Sequence, residues 1–205
     1  MSGSSQRWLR EHFKDPYVQR AQREGMRSRA AFKLEELLAR DRLLRPDMVV
    51  VDLGAAPGGW SQVVADALKG RGRLIALDIL PMAPLDGVEV IEGDFTDSQV
   101  LEQLLQTLDG QRVDLVLSDI APNMSGVAAV DQSRSMYLAE LALDFARGQL
   151  TRNGALMIKL FQGEGFDDYL RELRSAFAKV VLRKPKASRG RSREIYALAT
   201  GFKAG

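Results

Sequence analysis

The 205-residue chain has no cysteine and a single histidine, His12. Without a thiol there is no disulfide, no thiolate metal site and no cysteine nucleophile. One imidazole cannot found a histidine metal cluster, and the carboxylates show no compact calcium-loop spacing, so no metal is expected. No apolar stretch approaches the roughly 20 residues that span a bilayer. The polar opening Met1-Ser2-Gly3-Ser4-Ser5 leads into no signal-type apolar run, and a cytoplasmic protein is expected. Internal repeats and low-complexity linkers are missing too. At this length, with 45% apolar residues, one domain over residues 1–205 is expected.

Net charge is only +2, but it is segregated. Residues 1–33 carry eight Lys/Arg against three Asp/Glu and residues 171–205 carry ten against two, which leaves the middle at −11. Basic ends around an acidic centre suggest that the ends converge on a polyanion while the centre holds something else, and nucleic acid is the natural polyanion. On charge alone, ordinary solvated faces are the alternative. The candidates are Arg7, Arg10, Lys14, Arg20, Arg23, Arg27 and Arg29 in the basic extension 1–33. Lys184, Lys186, Arg189, Arg191 and Arg193 join them in a basic loop, 183–193. Most would touch phosphate, which positions RNA without reading it. His12 reads as solvated or as an incidental RNA contact. Trp8, Phe13 and Tyr17 recur at roughly helical spacing, although Pro16 argues against one unbroken helix there. They read as a packing stripe docking this segment on the domain rather than as base-stacking platforms.

The centre alternates strand and helix signals, as a parallel sheet with crossover helices requires. Strands are predicted at Met48–Leu53, Arg73–Leu77, Val88–Ile91, Val113–Leu117, Ala155–Leu160, Lys179–Leu182 and Glu194–Ala199. Helices are predicted over Ser61–Leu68, from an N-cap at Ser98 to Leu108, over Ser133–Gln149 and over Asp167–Ala178. In the second of these, Val100, Leu101, Leu104, Leu105 and Leu108 share one face.

The first predicted strand runs into Asp52-Leu53-Gly54-Ala55-Ala56-Pro57-Gly58-Gly59-Trp60, the most informative stretch of the chain. Glycines there let the backbone turn tightly and approach a ligand, and the next helix offers free N–H groups and its positive dipole end. A pyrophosphate-binding turn reads G-x-G-x-x-G, whereas Ala56 stands at the second glycine and Pro57 stiffens the loop. Gly54 and Gly58 therefore suit a nucleotide cofactor without phosphates, such as S-adenosylmethionine; a ligand-free turn is the bland alternative. Trp60 reads as a wall of the cofactor pocket. Asp78 lies 24 residues after Gly54, near where an acid accepts hydrogen bonds from ribose hydroxyls. Asp94 is placed to meet an adenine amino group, with Phe95 as an apolar neighbour, and Asp119 follows the fourth strand. Singly, each could be a turn or cap aspartate. Three in register at strand ends point to a binding site.

The chain resembles the FtsJ/RrmJ family of ribosomal RNA large-subunit methyltransferases over nearly its whole length. The resemblance rests on Arg27-Ser28-Arg29-Ala30-Ala31-Phe32-Lys33-Leu34, the glycine loop, Leu77-Asp78-Ile79-Leu80-Pro81-Met82 and Ser118 to Gly126. Lys159-Leu160-Phe161-Gln162-Gly163-Glu164-Gly165-Phe166 and Lys184 to Arg189 with Ser192-Arg193-Glu194 complete it.

It implies a Rossmann-like α/β fold with a mostly parallel seven-stranded sheet and helices on both faces. It also implies methyl transfer from S-adenosylmethionine to a ribose 2′-hydroxyl, and a Lys-Asp-Lys-Glu tetrad falling on Lys33, Asp119, Lys159 and Glu194. A ribose hydroxyl is a poor nucleophile and needs a base within hydrogen-bond reach. Lys159, expected at the end of an apolar strand, would serve if desolvation and the charges of Lys33 and the sulfonium disfavoured its ammonium form. Asp119 and Glu194 would position the lysines and the ribose, and Lys33 would orient the hydroxyl or stabilise alkoxide charge. The family points to a uridine near the peptidyl-transferase centre, to the assembled or assembling large subunit as partner, and to a monomer. Methylation of transfer RNA or messenger RNA caps, and a non-catalytic RNA-binding assembly factor, are the alternatives.

Overall fold

Val50–Leu53, Leu74–Leu77 and Leu115–Ser118 are each buried without a break, and because successive side chains of a strand point to opposite faces, each strand feeds one apolar layer above the sheet and another below it. The computed structural model describes residues 15–189 and 192–204. In chain order these form α1 (Pro16–Glu24), α2 (Ala30–Asp41), β1 (Met48–Leu53), α3 (Gly59–Leu68), β2 (Gly72–Asp78), β3 (Val88–Glu92) and α4 (Ser98–Leu108). They continue as β4 (Val113–Ser118), α5 (Ala128–Gln149), β5 (Leu150–Phe161), α6 (Phe166–Ala176), β6 (Phe177–Arg183) and β7 (Glu194–Phe202). The seven strands make one sheet in the order β3-β2-β1-β4-β5-β7-β6. Only β7 runs antiparallel to its neighbours, β5 and β6.

On one face Val51, Leu53, Ile75, Leu77, Val116, Ile158 and Ala197 pack under α4, α5 and α6. On the other, Met48, Val50, Leu74, Leu117, Met157, Tyr196 and Leu198 pack under α2 and α3, through Leu34, Leu37, Trp60 and Val64. The expected α/β fold, with helices on both faces of a mostly parallel seven-stranded sheet, is thus the one found. Among the described residues no helix is long and apolar enough to cross a membrane.

The differences from the predicted elements are local. The cap of α4 is Asp97, whose side chain accepts from the Gln99 N–H at 2.9 Å, one residue before the predicted Ser98. On that helix Leu104 and Leu108 are buried, but Leu105 turns outward. α5 starts at Ala128, five residues early, because its first turn is exposed and carries no burial periodicity. α3 starts at Gly59 rather than Ser61, and β5 extends back to Leu150 and on to Phe161.

In the front segment, Asp15 caps α1 by accepting from the Tyr17 N–H at 3.0 Å, and Pro16 takes the first helical position, where it lacks no needed donor. Tyr17 tilts against Phe32 with ring centroids 6.0 Å apart, in a small cluster with Ala21 and Ala187. This part of the expected packing stripe docks α1 on α2; Trp8 and Phe13 lie outside the described residues.

Candidate active site

In an open parallel sheet, ligands lodge beyond the carboxyl ends of the strands. There, after β1 to β4, lies a cavity of about 440 Å³ lined by Gly54, Ala56, Asp78, Ile79, Leu80, Asp94, Phe95, Asp119, Ile120 and Leu138 among others. Such a volume suits a single drug-sized ligand. Gly54 is required by close approach: at φ +78°, an added Cβ would stand 2.7 Å from the Ile120 nitrogen. Asp78 holds the wall together, with Oδ2 accepting from the Ala56 N–H and Oδ1 from the Leu80 N–H, both at 2.8 Å. Asp94 Oδ1 accepts from the Thr96 N–H and hydroxyl, each at 2.8 Å. Phe95 packs edge-on to Phe145.

The lining contains three carboxylates, several apolar side chains and no lysine or arginine. That donor set has nothing to neutralise a pyrophosphate but fits a cationic nucleoside with hydroxyl and amino groups to share, so the residues present suit S-adenosylmethionine. No group of three or more carboxylate or imidazole ligands among the described residues could hold a metal ion.

Two expected members lie elsewhere. Trp60 does not wall the cavity. It is buried, its Nε1–H donates to the Ala30 carbonyl at 2.9 Å, and its ring tilts against Tyr196 with centroids 5.7 Å apart. It faces the α2 layer because the first turn of α3 packs there. Gly58 is also absent from the lining. At φ +103° it caps α3, and a Cβ on it would meet Met82 Sδ at 2.9 Å and Arg27 at 3.0 Å.

The tetrad follows from the antiparallel insertion of β7. The register pairs Lys159 with Tyr196 and Phe161 with Glu194, so Lys159, Tyr196 and Glu194 fall on the same face of neighbouring strands. That face is covered by α2, which carries Lys33, and Asp119 follows β4 next door. Lys33 Nζ lies 2.8 Å from Glu194 Oε1 and 3.3 Å from the Tyr196 hydroxyl. The Tyr196 hydroxyl donates to Asp119 Oδ1 at 3.0 Å. Lys159 Nζ donates to the Asp119 carbonyl at 2.6 Å and lies 3.1 Å from Asp119 Oδ1. Lys33, Asp119, Lys159 and Glu194 thus come together in one continuous network. Its link, Tyr196, was missed in the sequence because a tyrosine on a core strand reads as packing; its pairing with Lys159 is the signal.

Burial raises the Glu194 carboxyl, but Lys33 beside it, the Ser188 hydroxyl and Lys159 outweigh that and hold it below the usual carboxylate range. Burial, reinforced by Asp119 and Glu194, pushes the Tyr196 phenol well up, so it stays a neutral donor. Beneath the glycine loop Asp52 is fully buried. Its Oδ2 accepts from the Ser61 hydroxyl at 2.7 Å, while Oδ1 has no partner. Desolvation, against the Ser61 bond and with Asp119 and Asp78 adding repulsion, raises it to about 7.

Several of the arginines expected on RNA serve the protein instead. Arg29 is paired with Asp15 and donates to the Ala187 carbonyl, tying α1 to the basic loop. Arg20 lies over the Phe32 ring at 4.0 Å and pairs with Glu24. Arg27 donates to the carbonyls of Ala83 and Pro84. Lys184, Lys186 and Arg193 are exposed, and Arg23 is exposed on α1. Arg7, Arg10, Lys14, His12 and Arg191 lie outside the described residues.

The model of the FtsJ-like methyltransferase family matches residues 26–202. The chain belongs to the FtsJ-like methyltransferase family. Among curated relatives it is 66% identical over 203 residues to "Ribosomal RNA large subunit methyltransferase E" of Stenotrophomonas maltophilia strain K279a, covering 99% of this chain and 97% of that protein. The protein of the same name from Xylella fastidiosa strain M12 is 63% identical over 200 residues, covering 98% and 94%. A crystal structure described as a ribosomal RNA methyltransferase from Plasmodium falciparum superposes with a TM-score of 0.78 at 28% identity, covering 86% of this chain and 98% of that one. This FtsJ-like methyltransferase is therefore an enzyme. Its match begins at Met26, one residue before Arg27, so it takes in both the turn that leads to Lys33 and the basic loop that leads to Glu194.

Proposed function

We propose that this enzyme transfers a methyl group from S-adenosylmethionine to a ribose 2′-hydroxyl, that of a uridine, in 23S ribosomal RNA of the assembled or assembling large subunit. One observation carries the reading: the Lys33–Glu194 and Lys159–Asp119 pairs are joined through Tyr196, and Asp119, which belongs to that network, also lines an acidic cavity free of cationic side chains. The names of the curated relatives support the substrate class.

Bound in the cavity, S-adenosylmethionine supplies an electrophilic methyl on a sulfonium. Asp78 and Asp94 would accept from its ribose hydroxyls and adenine amino group, and Asp119, which lines the same cavity, would add a third negative charge. Lys159 Nζ takes the proton from the attacking hydroxyl, and its two contacts to Asp119 fix the direction of that nitrogen. Lys33, oriented by Glu194 and Tyr196, stabilises the negative charge that develops on the oxygen.

The test is to incubate the purified protein and labelled S-adenosylmethionine with isolated large subunits, free 23S RNA and transfer RNA, then digest the product to nucleosides. Label in 2′-O-methyluridine from the large subunit is expected. Label on a base, or on transfer RNA alone, would overturn the assignment.

A further inference from the structure

The turn between α1 and α2, residues 25–29, does more than connect two helices. It sits on the start of α3. The Arg27 N–H donates to Gln62 Oε1 at 3.0 Å, and Gln62 Nε2 donates back to the Gly25 carbonyl at 3.1 Å. Gly59 is approached so closely that an added Cβ would stand 2.2 Å from the Ser28 hydroxyl. With its backbone fixed this way, Arg27 extends over two loops. Its Nη1 donates to the Ala83 carbonyl and its Nη2 to the Pro84 carbonyl, both at 2.6 Å, and Nη1 lies 3.5 Å from the Pro57 carbonyl.

Those carbonyls belong to the two segments that form one wall of the cavity. The glycine loop contributes Gly54 and Ala56, and the loop after β2 contributes Ile79 and Leu80. Ile79 and Leu80 are 56% and 61% exposed, so few core contacts hold them in place. The inner side of this wall is tied by Asp78 to Ala56 and Leu80; the outer side is tied by Arg27. A guanidinium suits this task because its planar fork spreads its donors over two nitrogens, one turned to each of the Ala83 and Pro84 carbonyls, whereas an ammonium gathers its donors on one atom.

We propose that Arg27 is a positioning residue for the cofactor: by clamping the glycine loop to the loop after β2 it keeps the cavity preformed, and it anchors the same turn that starts the helix carrying Lys33. This departs from its reading as an RNA contact, and it rests on the assignment of S-adenosylmethionine to the cavity. A clamp of charge-assisted hydrogen bonds at a partly exposed site corresponds to about a tenfold effect on ligand affinity.

Calorimetric binding of S-adenosylhomocysteine to wild type, R27A and R27K tests it, alongside the salt dependence of ribosomal RNA binding. Wild type binds, R27A binds about tenfold more weakly, and R27K falls between them; the slope of RNA affinity against salt stays the same for all three. Methyl-transfer kinetics then show a raised KM for S-adenosylmethionine with the KM for RNA unchanged. If R27A fails to fold, the R27K deficit alone decides the matter. Equal affinity in all three proteins overturns the clamp. A salt slope reduced by about one in R27A with cofactor affinity intact overturns it too, and makes Arg27 a phosphate contact. Failure of wild type to bind S-adenosylhomocysteine is a separate result that removes the cofactor assignment itself.

Discussion

Replacing Asp52 with asparagine should remove a pH dependence of stability that the wild type carries between pH 5 and 8. Asp52 is fully buried, with one oxygen held by Ser61 and the other without a partner. Its folded-state pKa is raised from 3.8 to about 7, chiefly by desolvation. Between those values the folded protein binds a proton that the unfolded chain has released, so the contribution of Asp52 to stability is full below the unfolded pKa and is lost as pH rises through the folded one. The whole gap amounts to about 4 kcal/mol, of which about 3 kcal/mol is lost between pH 5 and 8. The asparagine side chain keeps the shape and can still accept from Ser61, but it cannot ionise. Other shifted carboxylates do not contribute in this window. Glu194, Asp41 and Asp131 are all held below their ordinary values, so their stabilisation is present above the unfolded pKa and is lost only in acid. Urea denaturation of both proteins at pH 5, 6, 7 and 8 measures the difference directly. D52N should gain on wild type steadily with pH. A difference that stays constant across the series would mean that Asp52 is ionised in the folded state throughout, and the reasoning from its burial would fail.

Further outcomes follow from the cavity and the network. Gly54→Ala forces a Cβ against the Ile120 backbone at a positive φ and should destabilise the protein by roughly 1–3 kcal/mol while weakening S-adenosylhomocysteine binding, read by thermal melting and calorimetry. Tyr196→Phe removes the hydroxyl that joins Lys33 to Asp119 without changing the packing. It should lower kcat at least tenfold in a methyl-transfer assay, leaving S-adenosylhomocysteine affinity within about twofold of wild type. Trp60→Phe loses the bond to the Ala30 carbonyl and should cost about 1–3 kcal/mol of stability in urea, with cofactor affinity unchanged because the indole does not reach the cavity.

Much of this architecture is legible because strands covered on both faces read as short unbroken apolar runs. β1, β2 and β4 lie between two helical layers, and their sequences show it as apolar runs ending in Asp52, Asp78 and Ser118-Asp119. The helix starts were harder to read. α5 begins in exposed Ala128-Ala129-Val130, where no buried stripe marks the register, and α4 takes Asp97 rather than Ser98 as its cap because either side chain could serve. Glycines and carboxylates of the cavity were visible because a turn after a strand needs particular residue types. The place of Trp60 is not legible for a different reason: an aromatic after a glycine loop has two helix faces to choose from, and the α2 layer with the Ala30 carbonyl claims it. For Arg27 and Arg29, charge alone does not say whether a guanidinium meets a phosphate or a backbone carbonyl, and the structure gives both of them carbonyls. Tyr196 became visible only with the register of β5 against β7, a long-range pairing that no local pattern encodes.

In the proposed mechanism everything turns on Lys159, held by Asp119 beside the cavity, removing the proton from the attacking ribose hydroxyl. Single-turnover methyl transfer to isolated large subunits by wild type and Lys159→Met, at saturating S-adenosylmethionine, tests it most directly. The rate constant should fall by about a hundredfold or more, the range set by loss of a general base, while calorimetry shows S-adenosylhomocysteine affinity close to wild type. A variant that transfers methyl at the wild-type rate would contradict the assignment of Lys159 as the base and return the choice to the other groups of the network.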